Sequence, residues 1–272
     1  MKQRGLTVGL ILVLALSTSL AGGCTRLQAK AGASITLAGS TSVQPFAEML
    51  AEEYGKKYPD RPAVNVQGGG SSAGARAAVT GAAQVGMMSR ELAATEKELT
   101  AVVIAHDAIA LVVHPSNPVG SLTKEQIKGI FTGQITDWSQ VGGVAGRINV
   151  VSREEGSGTR GAFDELVMGG ADVVARAVIQ DSNGAVRETV AGDKAGIGYI
   201  SLGLVDSRIK AVSVGGVAPT IENTQAGKYT LVRPFLFVYK GKPGPDAKAF
   251  ADFVTGEEGQ KILAGEGLVT GK

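Results

Sequence analysis

The feature that most constrains this chain is a recurring local pattern: a short apolar strand runs into a turn of glycine and hydroxyl residues, and an amphipathic helix follows. The first copy is "ITLAGSTSVQPFAEML", in which apolar residues from Val43 onward share one helical stripe and Ser42 is a candidate N-cap. Further copies are "VNVQGGGSSAG" and "VVSREEGSGTRGAF". Strands that alternate with helices predict an α/β fold with a largely parallel sheet.

Two other segments extend the pattern. A strand at 85–88 ends at Ser89, and a helix that begins near Ser182 precedes a strand at 197–200. The carboxyl ends of parallel strands share one edge of the sheet, where ligands collect and where the free amides of helix N-termini attract anions. We therefore predict a shared anion site, although each hydroxyl taken alone suits a helix cap equally well.

The stretch "REEGSGT" carries the residues that best suit an anion. Arg153 can present a planar fork to two oxygens of an oxyanion. Gly156 and Gly158 permit the close approach of backbone amides. Ser157 and Thr159 add hydroxyl donors at the start of the helix. The alternative is a turn that simply needs glycine, with Arg153 paired to a neighbouring glutamate.

Composition excludes several other classes of site. Lys and Arg number 27 against 25 Asp and Glu, so the basic excess typical of a nucleic-acid-binding surface is missing. His106 and His114 are too few and too badly spaced for a metal site, and there is no Walker A sequence. Cys24 is the only cysteine, so no internal disulfide can form. We expect no metal and no cofactor.

The N-terminus predicts export. Two basic residues precede an apolar run that is short for a membrane span, and "LAGGC" places small residues before Cys24. We expect residues 1–23 to be a cleaved signal peptide, Cys24 to carry the lipid (palmitate) of a lipoprotein, and residues 24–33 to be a tether. The motif resembles the bacterial lipobox, with Ala21 where leucine is more frequent. The alternative is an ordinary secretory signal with an incidental cysteine.

A family resemblance is carried by four stretches, "LAGSTSVQPF", "GGGSSAG", "REEGSGTR" and "IFTGQITDW". Together they resemble the phosphate-binding proteins of bacterial phosphate ABC transporters, in their compact lipoprotein branch. The stretches span most of the chain after the signal, and the last two in combination are quite specific. The resemblance implies a two-lobed, hinged solute-binding protein that closes on inorganic phosphate and delivers it to a membrane permease.

The same resemblance implies a set of phosphate-binding residues. They are Thr41, Ser42, Ser71, Ser89, Arg153, Ser157, Gly158 and Thr159. Ser72 and Arg160 lie beside these motifs and are further candidates. Ser89 stands where well-known enteric members have an aspartate, so the acceptor for the proton of hydrogen phosphate is open. Ser89 and the carboxylate of Asp107, near a predicted strand crossing, are the two candidates.

The family pattern also implies the lobes and the partners. Residues 34–110 and 235–272 form the first lobe and residues 111–234 the second, and the two crossings between them form the hinge. We expect a monomer that is lipid-anchored to the cell membrane and faces the periplasm or the cell exterior. Its partners are the permease and ATPase subunits of a phosphate ABC transporter.

Two other functions stay open. A pocket of donors also suits another tetrahedral oxyanion, such as sulfate or molybdate. Ser157 is a candidate nucleophile of a serine hydrolase, although neither histidine lies near it in the sequence. The resemblance instead implies that the protein is not an enzyme.

Overall fold

The computed structural model describes residues 34–271. The predicted signal peptide, the tether and Cys24 lie outside the described residues. Among the helices within 34–271, none combines the length and apolarity needed to cross a membrane.

The described residues form strands and helices in alternation through much of the chain. The strands are β1 (Ile35–Gly39), β2 (Val64–Gly68), β3 (Val85–Met88), β4 (Leu99–Val113), β5 (Ser121–Leu122), β6 (Asn149–Arg153), β7 (Val178–Gln180), β8 (Gly196–Ser201), β9 (Lys210–Val214) and β10 (Val232–Lys240). The helices are α1 (Gln44–Lys57), α2 (Ser71–Thr80), α3 (Lys124–Thr132), α4 (Gly158–Phe163), α5 (Asn183–Gly192), α6 (Ile221–Gln225), α7 (Pro245–Thr255) and α8 (Glu257–Gly265). A π-helical turn, Asp164–Met168, continues α4.

The strands pair in the order β2-β1-β3-β10-β4-β8-β6-β7, with β9 beside β4 and β5 beside β9. The pairs β1–β2, β1–β3, β6–β7 and β6–β8 are parallel, as the strand–turn–helix pattern predicts. The α/β class is thus confirmed. The long strands β4 and β10 run antiparallel to each other and to their other neighbours, β8 and β3. The sheet is therefore mixed, with parallel groups on either side of an antiparallel centre.

The apolar core has two principal groups. The first surrounds β1, β3 and the C-terminal helices and includes Leu37, Met87, Phe237 and Phe250. The second surrounds β8 and includes Phe131, Phe163 and Tyr199. In the second group the rings of Phe163 and Tyr199 stack with centroids 4.1 Å apart. Strand β4 contributes to both, through Ile104 in the first group and Leu111 in the second.

Helix starts near the predicted turns depend on hydroxyl caps. Ser157 and Ser182 cap α4 and α5, each by accepting a hydrogen bond from a backbone amide of its helix. The predicted cap of α1 is wrong, because Ser42 does not serve it. The hydroxyl of Ser40 instead accepts from the amides of Ser42 and Val43, at 3.2 and 3.4 Å. The side chain of Ser42 is consequently available for other contacts.

Helix α2 lies unusually close to the sheet because of Gly74. A Cβ atom at this position would lie 2.6 Å from the carbonyl oxygen of Ala38 and 2.7 Å from that of Met87. Both neighbours are backbone atoms of the sheet, so no side chain can rotate to make room. The absence of a side chain at Gly74 therefore sets the position of α2 and of Ser71 at its N-terminus.

We expect Gly74→Ala to lower the melting temperature. Overpacking of this kind costs about 1–3 kcal/mol, and each kcal/mol corresponds to roughly 2–4 °C in a chain of this size. Gly55→Ala in α1 is the matched control, because a Cβ at Gly55 would meet no atom within 4 Å. That change should be neutral or stabilise by up to about 1 kcal/mol. Thermal unfolding followed by circular dichroism is the measurement, and equal melting of Gly74→Ala and wild type would contradict the packing argument.

Candidate anion-binding site

A cluster of polar side chains is buried where several strands and helices end. Its members are Ser40, Ser42, Ser71, Ser89, Asp107, Arg153, Ser157, Thr159, Asn183, Ser201 and Arg233. They come from distant parts of the sequence and are connected by hydrogen bonds. Buried polar groups are costly unless they form hydrogen bonds, so each group of this cluster needs a partner in the protein or in a ligand.

One side of the cluster is a chain of three serine hydroxyls. Ser40, after β1, donates to the Oγ atom of Ser89, after β3, at 2.8 Å. The Oγ atoms of Ser89 and Ser71 lie 3.4 Å apart, and the Ser89 amide donates to Ser71 Oγ at 3.0 Å. Ser40 must be the donor because its own oxygen already accepts two amides. Ser71 and Ser89 can each act as donor or acceptor toward the other.

The opposite side is dominated by Arg153, at the end of β6. Its Nε and Nη2 atoms donate to the two carboxylate oxygens of Glu154, both at 3.0 Å. Nη2 also lies 3.0 Å from the carbonyl oxygen of Asp181 and 3.3 Å from Thr41 Oγ1. The buried Nη1 atom has no hydrogen-bond partner among residues 34–271. Arg153 thus forms the ion pair with Glu154 and still has a free donor in Nη1. The guanidinium group that the sequence assigned to an anion is therefore only partly available for one.

The N-terminus of α4 contacts the serine chain directly. A Cβ atom at Gly158 would overlap Ser71 Oγ and lie 2.6 Å from Ser89 Oγ. The carbonyl oxygen of Gly156 accepts a hydrogen bond from the amide of Ser72 at 3.1 Å. Glycine at position 158 therefore permits the "REEGSGT" segment and the α2 N-terminus to touch, which a side chain there would prevent.

Ser42 lies at the centre of the cluster. Its Oγ atom is 2.9 Å from Thr159 Oγ1. It also accepts from Asn183 Nδ2 at 2.9 Å and from Arg233 Nη2 at 3.0 Å. Asn183 further donates to Thr41 Oγ1 at 3.3 Å. Hydrogen bonds from both sides of the cluster therefore converge on two adjacent hydroxyl groups.

Asp107 and Arg233 form an ion pair that is almost wholly buried. Both Nε and Nη2 of Arg233 donate to Oδ2 of Asp107, at 3.0 and 2.8 Å. Oδ1 accepts from the Ser201 hydroxyl at 2.8 Å. Burial raises the pKa of Asp107, and the Arg233 guanidinium, together with these hydrogen bonds, opposes that rise. The carboxylate stays ionised, because protonation would leave a buried guanidinium without a counter-charge.

The placement of Asp107 bears on its predicted role as proton acceptor. A carboxylate offers about four lone-pair positions, and protein donors fill three of them here. Direct acceptance of a ligand proton by Asp107 remains a prediction, and this geometry weighs against it. Ser89 keeps a lone pair that can accept whenever its own proton points to Ser71.

The two further candidates lie at the margin of the cluster. Ser72 Oγ accepts a weak bond of 3.4 Å from Arg90, which pairs with Glu96. Arg160 donates through Nη1 to the carbonyl oxygen of Arg153 at 3.1 Å. Both are half-buried, and their contacts support the backbone around the cluster.

Sequence reasoning did not identify Arg233, Asn183, Ser40 or Ser201 as members of the cluster. The sequence signal for Arg233 is a charged residue within the apolar run "LVRPFLFV". The other three are small polar residues at element ends and resemble ordinary caps. Only the contacts between distant segments distinguish them from caps.

Comparison with known proteins identifies the family of the chain. The model of the PBP superfamily domain matches residues 25–258. The phosphate-binding protein PstS of Bacillus subtilis is 33% identical over 248 residues, which cover 88% of this chain and 81% of that protein. PstS of Borreliella burgdorferi is 29% identical, with 96% and 97% covered.

Solved structures show the same likeness. A protein of Clostridium perfringens, named as a phosphate ABC transporter substrate-binding protein and solved with bound phosphate, has a TM-score of 0.85 and 44% identity over 88% of this chain and 100% of that one. An ABC-type phosphate transport receptor of Vibrio cholerae has a TM-score of 0.73 and 38% identity over 87% and 100%. The chain therefore belongs to the PBP superfamily and, within it, to the family of PstS phosphate-binding proteins.

Proposed function

We propose that this protein binds inorganic phosphate in the buried polar cluster and delivers it to the permease of an ABC transporter. The observation that carries the proposal is the buried Nη1 atom of Arg153, which has no partner within residues 34–271 although it belongs to a charged group. A buried cationic donor without an acceptor is costly, and an anion next to it removes that cost. Membership of the PstS family supports phosphate as that anion.

The phosphate ligands in this proposal are those that the sequence motifs indicated. Arg153 supplies charge, and the Gly158 amide supplies a backbone donor. The hydroxyl ligands are Thr41, Ser42, Ser71, Ser89, Ser157 and Thr159. Charge-assisted hydrogen bonds are worth about 1.5–3 kcal/mol each. A handful of them reach micromolar affinity, roughly 8 kcal/mol, after the costs of ordering and desolvation.

Selectivity for phosphate over sulfate requires an acceptor for the proton of hydrogen phosphate. The Ser71–Ser89 pair supports this role, because its shared hydrogen bond can run in either direction. When Ser89 donates to Ser71, a lone pair of Ser89 is open to a P–OH group. Sulfate has no proton to offer that lone pair.

The proposal includes two lobes with the boundaries expected from the sequence. The two apolar groups support this division, since one is built mainly from residues before Ile109 and after Pro234. Strand β4 passes from one group to the other and β10 begins next to Leu231 of the second group, so these two segments are the candidate hinge. Contacts such as Ser42 with Thr159 join the proposed lobes, so an anion there stabilises the closed arrangement by bridging them.

The proposal also assigns a place and partners to the protein. The family supports work with a phosphate ABC transporter, and the proposal adds export, a monomeric state, and permease and ATPase subunits as the partners. The motif before Cys24 supports attachment to the outer face of the cell membrane by a lipid.

The hydrolase alternative is not favoured. The Ser157 hydroxyl accepts from the amide of Arg160 at 3.2 Å and caps α4. Of the two histidine rings, that of His114 contacts Ser116, and His106 lies on β4 with its backbone bonded to Val269. Neither arrangement provides Ser157 with a general base.

Wild-type protein should prefer phosphate over sulfate by at least about a hundredfold, which is roughly 2.7 kcal/mol. Ser89→Ala should shrink this ratio, because the change removes the lone pair proposed to accept the phosphate proton. Competition titrations of both anions at one pH and salt concentration are the measurement. Equal affinities in the wild type would refute the phosphate proposal, whereas an unchanged ratio in Ser89→Ala would remove only Ser89 as the acceptor.

Arg153→Lys should weaken phosphate binding about tenfold or more, because a lysine cannot reproduce the geometry of several fixed donors. Titration calorimetry is the measurement, on protein whose ligand-free melting temperature is checked first. Arg208→Lys is the matched control, since Arg208 forms an exposed pair with Asp206 outside the cluster. An affinity in Arg153→Lys equal to that of the control would show that Arg153 is only the structural partner of Glu154.

Cys24→Ala should release the processed protein from the membrane fraction, because only a lipid on Cys24 would hold it there. Fractionation of cells that express the full chain is the measurement, with Ser34→Ala as a nearby control that keeps the cysteine. Retention of the cleaved variant with membranes would contradict the lipoprotein assignment.

A further inference from the structure

The Asp107–Arg233 ion pair occupies the junction between the two apolar groups. The residues face each other in the antiparallel register of β4 and β10. On β4, Ala105 belongs to the first group and Ala108 to the second, so Asp107 lies at the boundary. Buried ion pairs are seldom the most stable choice for such a position, since apolar residues of similar volume are often equally good. The pair therefore calls for an explanation other than stability.

The contacts of Arg233 lead to the anion site. Nη1 donates to the carbonyl oxygen of Ser89 at 3.2 Å, and Nη2 donates to Ser42 Oγ at 3.0 Å. The two hydrogen bonds from Nε and Nη2 to Oδ2 of Asp107 hold the guanidinium plane in place for both contacts. The buried Arg233 therefore donates hydrogen bonds to two of the proposed phosphate-binding residues, Ser89 and Ser42.

The second donor to Ser42 has an orientation that its own contacts determine. Asn183 Oδ1 accepts from the amide of Ser201 at 3.1 Å, so the Nδ2 group faces the hydroxyls. Nδ2 donates to Ser42 at 2.9 Å. With Arg233 on one lone pair and Asn183 on the other, the oxygen of Ser42 has no acceptor capacity left. Its proton must be donated, and Thr159 Oγ1 at 2.9 Å lies in that direction.

We propose that Arg233, held by Asp107, is a positioning residue that fixes the Ser42 hydroxyl as a hydrogen-bond donor to Thr159, so that the Thr159 hydroxyl is free to donate to the anion. The inference rests on the proposed function of the site. Thr159, which accepts from Ser42, is in turn left to donate. This half of the site therefore presents the Thr159 hydroxyl as a donor, and a donor suits an oxyanion oxygen that carries no proton. The proton of hydrogen phosphate is directed to the other half, where Ser71 and Ser89 lie.

The test is a double-mutant cycle that combines Arg233→Met/Asp107→Leu with Ser42→Ala. Exchanging both members of the pair leaves the net charge of the site unchanged and leaves no buried charge without a partner, so folding is expected to be retained. In the presence of Ser42 the exchange should weaken phosphate binding about tenfold, the order of one hydrogen bond to a charged group. In the Ser42→Ala background the same exchange should change affinity less than about threefold, because Arg233 then has no hydroxyl to orient.

The matched control is Arg208→Met/Asp206→Leu, which removes an exposed pair with the same chemistry. Its phosphate affinity should equal that of the wild type. A milder variant, Asp107→Asn, preserves the shape of the cluster and should show a smaller loss that also depends on Ser42. Melting temperatures without ligand separate loss of fold from loss of orientation.

Each outcome decides the inference. Equal losses with and without Ser42 would show that Arg233 acts by general structural support and would overturn it. No loss in the presence of Ser42 would overturn it as well. If the wild type binds sulfate or molybdate in place of phosphate, the proposed function fails, and the same cycle measured with that anion tests the positioning role separately. If none of these oxyanions binds, both proposals are refuted.

Discussion

The burial of two guanidinium groups is the constraint on which the polar cluster depends. An arginine cannot lose its charge inside a protein, so each buried one needs a counter-charge and several acceptors. Arg153 takes Glu154 and a backbone carbonyl, and Arg233 takes Asp107. Nη2 of each guanidinium group also reaches a hydroxyl oxygen, that of Thr41 for Arg153 and that of Ser42 for Arg233, while Nη1 of Arg153 has no partner within residues 34–271. A site rich in donors is a consequence of satisfying these two arginines.

Close backbone contact makes this arrangement compact. Gly158 lets the start of α4 touch the hydroxyls of Ser71 and Ser89, and Gly74 lets α2 lie directly on the sheet. Larger residues at either position would separate the segments that supply the hydroxyls. Hydrogen bonds lose strength steeply with distance and angle, so a separation of an ångström would remove most of the network. Gly74 and Gly158 therefore determine both the close packing of these segments and the hydrogen bonds between them.

The antiparallel centre of the sheet connects the two halves of the molecule. Strand β4 extends from one apolar group to the other, β10 begins directly after Leu231 of the second group and continues into the first, and Asp107 and Arg233 face each other at the boundary. A change in the angle between the halves would bend these two strands near the ion pair. The pair therefore contacts the proposed anion site through Ser42 and the proposed hinge through its own backbone.

The sequence by itself determined the α/β class, the turns at the ends of β1, β3 and β6, and the motif "REEGSGTR", because these depend on local periodicity, on glycine and on residue chemistry. It also indicated Arg153 and the hydroxyls around it. Tertiary structure alone decided that Ser42 leaves the start of α1 uncapped and joins the polar cluster, while Ser40 accepts the amides of the turn, since the two serines are equivalent by local criteria. It alone paired Asp107 with Arg233, because the antiparallel register of two strands that lie 126 positions apart brings them together. Pairing between distant segments is set by the packing of the whole chain, and no local pattern in this sequence records it.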